Sequence, residues 1–233
     1  MSVVTTRRAP AGPKPFSWSY SRLKNFETCP KRHWHVDINK DAKEEDSEQL
    51  QWGNAVHKAL ADRIAKGTPL PIGMERYEDW ANRILTGGGN ILVEQKLAIN
   101  KDFGKTTWFG DEAWYRGIGD VIKIVGRVGL IVDWKTGKII EDSQQLALMA
   151  ACVFAHFPEV LKVRSVFAWL KEDADTKQDF DRNQMVDMWR NLWPRIEALR
   201  NAHTTTSYPA KPGRLCRNWC PVKQCPHNGE SYG

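Results

Sequence analysis

The sequence is short of what a membrane protein needs. No stretch of its 233 residues approaches the roughly 20 consecutive apolar residues of a membrane-spanning helix, and the longest apolar run, residues 146–155, stops at His156. The first 15 residues carry three prolines and two adjacent arginines but no apolar core of the secretory kind. The chain is therefore expected to stay in a reducing cytoplasm where thiols remain free. Cysteine is scarce, five in all, which there points to metal chemistry or inert thiols before disulfides. No internal repeat is found. Neither sign of charge dominates: 34 Lys and Arg against 28 Asp and Glu give +6, a mild tilt toward a polyanionic partner. With 41% hydrophobic and 27% charged residues, what remains is an ordinary globular composition of one large or two small domains.

Residues 1–15 show no apolar period and read as a flexible basic lead-in. Tyr20, Leu23 and Phe26 then fall at helical spacing with Ser19 as N-cap, and Pro30 interrupts before Trp34 and Val36 resume. After a charged loop over residues 40–49, Trp52, Val56, Leu60 and Ile64 mark a helix closed by Gly67 and Pro69, and a short one covers residues 75–85. Residues 91–98, 113–125 and 129–135 are rich in β-branched and aromatic residues and read as three consecutive strands. Asp142 or Ser143 caps a helix to about Phe157, residues 163–170 form a fourth strand, and residues 185–199 a final helix despite Pro194. An antiparallel meander, a crossover helix and a further strand predict an α/β fold: a mixed central sheet flanked by helices. Residues 204–233, with four prolines and three cysteines, have no period at all.

Asp133 and Lys135 sit two apart on an apolar strand, so both side chains leave one face and Trp134 the other. Asp120 closes the preceding strand after Gly117-Ile118-Gly119, a hairpin through residues 123–129 brings it near Asp133, and Glu94 on the strand before can join them. Carboxylates and a lysine gathered this way suit phosphodiester hydrolysis: hard oxygens hold Mg²⁺ or Mn²⁺, and lysine offsets developing charge. An exposed Asp-x-Lys ion pair is the plainer account of the same spacing. Cys216, Cys220 and Cys225 crowd a tail unable to form a core, and thiolates there suit zinc or an iron–sulfur cluster. Three ligands are one short; the fourth is either His227, giving zinc, or distant Cys29, giving four thiolates around [4Fe-4S]. Cys152, inside the apolar helix, reads as an inert core residue.

These residues together resemble the PD-(D/E)XK nuclease superfamily, and within it the RecB-type exonuclease branch that includes CRISPR-associated iron–sulfur exonucleases. The resemblance runs from about Ser17 to His227. Gly53-Asn-Ala-Val-His57 is similar to the Gly-x-x-x-His helix motif, Gly119-Asp120 to the first metal-binding acid, Asp133-Trp134-Lys135-Thr136-Gly137 to the second acid and catalytic lysine, and Gln145-Leu-Ala-Leu-Met149 to a Gln-x-x-x-Tyr motif with Met149 in place of tyrosine. The resemblance implies a restriction-endonuclease-like core over residues 16–203 and a cysteine-rich metal-binding segment over residues 204–233. It implies that His57, Asp120 and Asp133, with Glu94 and the Trp134 carbonyl, hold Mg²⁺ or Mn²⁺, that Lys135 serves water and phosphate, and that Gln145, with Gln144 as competitor, supports them. It further implies a [4Fe-4S] cluster on Cys29, Cys216, Cys220 and Cys225 joining the two chain ends, although the C-x3-C-x4-C spacing departs from the usual C-x2-C-x5-C.

The function so implied is a metal-dependent DNA exonuclease acting on free or single-stranded ends in recombination, repair or replication, in a bacterial or phage-infected cytoplasm, with no membrane contact. Its alternative is a non-catalytic DNA-binding module of the same fold serving a helicase, polymerase or recombinase. Among 11 tryptophans, Trp18, Trp34, Trp52, Trp108, Trp114, Trp134 and Trp219 lie near these motifs or on strands; most are expected in the core and a minority to stack unpaired bases. Arg22, Lys31, Arg32, Lys211, Arg214 and Arg217 are the candidate phosphate contacts.

Overall fold

The Ser19 hydroxyl accepts from the Arg22 amide and starts α1 (Tyr20–Thr28). In the computed structural model, residues 15–140 and 142–232 are described; apart from Pro15, the basic lead-in lies outside them. Pro30 occupies the first turn of α2 (Pro30–His33), where its missing N–H costs nothing, and a π-helical turn over Trp34–Asn39 prolongs it. Ser47 caps α3 (Glu48–Lys66), which begins inside the expected charged loop and ends at Gly67 with φ 72°. A 3₁₀ turn leads into α4 (Glu78–Leu85).

The strands are β1 (Asn90–Ile99), β2 (Lys105–Thr106), β3 (Tyr115–Val125) and β4 (Val128–Lys135). After them come α5 (Ser143–His156), β5 (Lys162–Trp169), β6 (Ala174–Asp181), α6 (Met185–Thr205) and α7 (Leu215–Asn218). Six strands form one sheet in the order β2-β1-β3-β4-β5-β6, antiparallel except where β4 meets β5. That parallel step needs a crossover, and α5 supplies it. The mixed sheet flanked by helices matches the expected fold class. Two strands escaped sequence reasoning: the two-residue β2 and the polar edge strand β6, of which only Phe180 is buried. Asp120 does not close its strand, because β3 continues to Val125 and turns through Gly126 at φ 56°.

Residues 146–154 of α5 are all buried, since the helix is covered by the sheet on one side and by α6 on the other. Full burial of each larger apolar side chain contributes about 1.5–3 kcal/mol. Opposite them, α3 and α4 cover the second face with Val56, Leu60, Trp80 and Ile84 against Val121, Val132 and Trp134. Trp134 thus points away from Asp133 and Lys135, as the pleat requires.

One irregularity decides where the site lies. On β3, Val121 faces α3 and α4 while Ile122 and Ile124 face α5 and α6. Strict alternation would put Tyr115, Gly117 and Gly119 with Val121, yet Tyr115 belongs to the α5 side and a Cβ on Gly117 or Gly119 would meet Met149 of α5. The neighbouring β1 reverses phase too: Leu92 and Leu97 both face α5, five residues apart. Both strands turn over at one row, that of Glu94 and Asp120.

Candidate metal centre and active site

The ladder pairs Val93 with Val121 and Gln95 with Gly119, so Glu94 stands opposite Asp120; it pairs Val121 with Val132, so Asp133 stands opposite Asp120 on the other side. Three acids therefore line one transverse row of β1, β3 and β4. Glu94 has φ 49°, a left-handed backbone that costs a non-glycine residue about 1–3 kcal/mol and that concentrates at functional sites. Where β3 and β4 stop pairing, Asp120 Oδ2 accepts the Trp134 amide at 2.8 Å. Asp120 Oδ1 lies 3.3 Å from His57 Nδ1. Ligand atoms of His57, Glu94 and Asp120 all fall within 4.8 Å of one another.

Beside this set, Gln145 ties two side chains together: its Nε2 donates to Asp133 Oδ1 at 2.8 Å and its Oε1 accepts from Lys135 Nζ at 3.2 Å. Lys135 Nζ also lies 2.6 Å from Asp133 Oδ2, without hydrogen-bond alignment, and 4.8 Å from the Phe167 ring centroid. Asp133 Oδ2 is buried and, among the described residues, has that ion pair but no aligned hydrogen bond. A carboxylate–imidazole–carboxylate set, with a further buried carboxylate beside it, is the donor chemistry of a hard divalent cation, so these residues fit Mg²⁺ or Mn²⁺.

Charge in the row is strained in the expected sense. Burial, and after it the neighbouring Asp120, push the Asp133 carboxyl up to about 6 although Lys135 pulls the other way. Glu94 is raised by burial and then by Asp120. For His57, burial opposes the charged form, but the carboxylates of Asp120, Asp133 and Glu94 outweigh it and raise the imidazole.

Local sequence explains the placement. Gly53 lies one turn before His57 on α3, and a Cβ there would stand 3.1 Å from Thr136 Oγ1; glycine lets the helix approach the end of β4. Asp142 caps α5 by accepting the Gln144 amide and also receives the Tyr20 hydroxyl from α1. Arg195 of α6 joins Glu27 of α1 to the Gln144 side chain. Gln144 is thereby committed to the helix packing and Gln145 faces the acids. Met149 is buried under Gly117 and Gly119. A cleft of about 670 Å³ opens on this end of the sheet, lined by His57, Lys58, Asp62, Glu94, Trp134 and Lys135. Phe167 escaped sequence reasoning, since one apolar residue in a buried strand carries no signal that a lysine rests on it.

At the other end of α1, Cys29, Cys216, Cys220 and Cys225 line one cavity of about 120 Å³, together with His227. The Lys211 amide donates to Cys29 Sγ at 3.4 Å and the Gly213 amide to Cys216 Sγ at 3.5 Å. Among the described residues no three of these thiols lie within 4.8 Å of one another, wider than the roughly 3.8 Å between sulfurs that tetrahedral Zn–S bonds of about 2.3 Å impose. The chain ends also meet directly: the Lys31 amide donates to the Pro209 carbonyl and Gln224 Nε2 lies 3.0 Å from His35 Nδ1. Cys152 is fully buried in α5, and burial raises its thiol far above the ordinary range.

Of the tryptophans singled out, Trp18, Trp114 and Trp134 are core, Trp34 and Trp108 are half-buried, and Trp52 and Trp219 are exposed. Arg32 corrects an expectation: it is buried between Asn25 and Glu44 and offers no phosphate contact.

A family model described as the PD-(D/E)XK nuclease superfamily matches residues 17–109, a span that holds His57 and Glu94 and stops short of Asp120. No curated protein matches the chain. Among solved structures, one provisionally described as an exonuclease, from Eubacterium rectale, is 16% identical with a TM-score of 0.48, covering 80% of this chain and 82% of its own. Another, SSO0001, is 13% identical with a TM-score of 0.44, covering 91% and 86%. Over residues 17–109 the chain is thus similar to the PD-(D/E)XK nuclease superfamily, and its mixed six-stranded sheet flanked by helices fits that fold.

Proposed function

We propose that the protein is a divalent-metal-dependent deoxyribonuclease of the RecB-type exonuclease branch that degrades DNA from free or single-stranded ends. The observation that carries this is the convergence of His57, Glu94 and Asp120 within 4.8 Å of one another beside the linked Asp133, Lys135 and Gln145. Mg²⁺ or Mn²⁺, when bound, supplies Lewis acidity toward the phosphate and an acidified water. His57, Glu94 and Asp120 would hold it, with Asp133 and the Trp134 carbonyl as the further ligands that the family resemblance implies. Hydrolysis joins a water oxygen to phosphorus, breaks one bridging P–O bond and leaves the departing oxygen protonated. Lys135 places its charge beside the phosphate oxygens, where charge grows in the transition state. Gln145 fixes the directions of Lys135 and Asp133.

The cysteine cavity belongs to the same proposal. Four thiols, two of them receiving backbone N–H groups and, among the described residues, no three within 4.8 Å of one another, suit a [4Fe-4S] cluster better than zinc. Its role is structural: closing the chain ends on each other disfavours the unfolded ensemble. Digestion of end-labelled linear and of circular DNA, single- and double-stranded, with Mg²⁺, Mn²⁺ or chelator tests the enzymatic reading. Loss of linear substrate only, and only with metal, is expected; binding without cleavage under every metal condition would overturn it in favour of a DNA-binding module working for a helicase, polymerase or recombinase.

A further inference from the structure

A second groove, of about 960 Å³, approaches the catalytic row as far as Gln145, on the face opposite the His57 cleft. It ends on Gln145, which touches both Asp133 and Lys135. At its far rim stands Phe109, 87% exposed, with half-buried Trp108 beside it. Exposed aromatics scattered singly carry no meaning, but this one is presented by a braced loop. The Gly110 amide donates to the Thr107 carbonyl, the Ala113 amide to the Gly110 carbonyl, and Arg116 Nε to the Trp108 carbonyl at 2.7 Å. A ring held in place before its ligand arrives loses little freedom on binding.

Cations outnumber acids along the groove: Asp111 is the acid among its described lining, and Asp37 lies near enough to Arg22 to feel its charge. Arg22, Lys40 and Arg116 line it, and among the described residues none of them has a carboxylate within 4.0 Å, in contrast to Arg63 with Glu78 or Arg195 with Glu27. Burial first, and the nearby Arg22 second, lower the Arg116 guanidinium. Like charges left facing each other across a groove invite an anion. Aromatic faces alternating with cations along a track are the chemistry of an unpaired nucleic-acid strand, because bases within a duplex have already spent their faces on one another.

We propose that this groove carries single-stranded DNA into the catalytic row, with a base stacked on Phe109 and backbone phosphates on Arg22, Lys40 and Arg116. The inference rests on the nuclease reading and extends it: the enzyme takes an unpaired strand, and duplex must open before its scissile phosphate reaches Lys135. Sequence reasoning named Trp108 and Arg22 as candidates and passed over Phe109, whose prominence comes from the loop that holds it.

The test is the affinity of a fluorescent 12-nucleotide oligodeoxythymidine, and of a blunt hairpin duplex, in chelator, where nothing is cut. Phe109→Ala, at an exposed position that leaves the fold and melting temperature unchanged, should weaken the oligonucleotide by about 5- to 150-fold, as one lost stack does, and leave the duplex unaffected. Phe109→Trp should restore binding. Arg22→Gln should lower the slope of log affinity against log salt by about one. An iododeoxyuridine strand should cross-link to the peptide holding Trp108 and Phe109. Wild-type affinity in both Phe109→Ala and Arg22→Gln, or cross-links only elsewhere, would overturn the proposal. Cleavage by the wild type with Mn²⁺ is scored in the same preparation. A cleaving enzyme indifferent to Phe109→Ala refutes the groove alone, whereas a protein that never cleaves yet loses the strand in Phe109→Ala refutes the nuclease alone.

Discussion

Asp133 carries a price in stability that metal should offset, and the size of both can be read from pH. Its carboxyl is lifted from 3.8 to about 6, by burial first and Asp120 second, with Lys135 opposing. In metal-free protein the folded state then holds a proton that the unfolded state has released over roughly pH 4–6. The slope of unfolding free energy with pH follows protons bound in the unfolded state minus those in the folded state, so this group lowers stability as pH rises through that window. A displacement of about two units amounts to about 3 kcal/mol in full. Asp133→Asn removes the titration while keeping shape and one acceptor for Gln145. Urea denaturation in chelator from pH 4 to 7.5 should show the variant gaining on the wild type by up to about 3 kcal/mol across the window. Excess Mn²⁺ at pH 7.5 should reverse the order, since metal stabilises the wild type by RT ln(1 + [M]/Kd) and the variant less. A difference between variant and wild type that stays flat from pH 4 to 7.5 in chelator would refute a buried, up-shifted Asp133.

Other expectations concern neighbouring contacts. Gln145→Ala should cut metal-dependent cleavage about 10- to 100-fold with the fold intact, whereas Gln144→Ala, losing only its contact with Arg195, should keep activity and cost about 1 kcal/mol in chemical denaturation. Gly117→Ala places a Cβ 2.6 Å from Met149 Sδ and should destabilise by about 1–3 kcal/mol; Met149→Ala in the same chain should recover part of it, and strict additivity of the pair would count against the clash. Anaerobically purified protein should be brown with stoichiometric iron and sulfide, lost in Cys29→Ser and kept in Cys152→Ser. Zinc without iron, lost in His227→Ala and indifferent to Cys29→Ser, would replace the cluster with a local site.

Much of this molecule is legible one residue at a time. Ser19 and Asp142 announce the helices they cap, because a side-chain acceptor beside free amides is a local matter. The apolar run from Leu146 to Phe154 fits a helix wrapped on all sides, and the pleat alone puts Asp133 and Lys135 together with Trp134 opposite. Cleft and catalytic row depend on more distant contacts. Polar β6 forms because β5 offers it a ladder, which its own eight residues do not reveal. The phase reversal at Glu94 and Asp120 needs two strands to turn over in the same row, and periodicity along either one reports only an imperfect strand. Gln144 and Gln145 differ in chemistry by nothing; Arg195, fifty residues on, takes the first and leaves the second to the acids. Cys29 reaches the cavity of Cys216, Cys220 and Cys225 because α1 packs on α6 and the tail folds back across it. Spacing in sequence states which groups a chain owns, and the packing of helices on a twisted sheet decides which of them share a few ångströms.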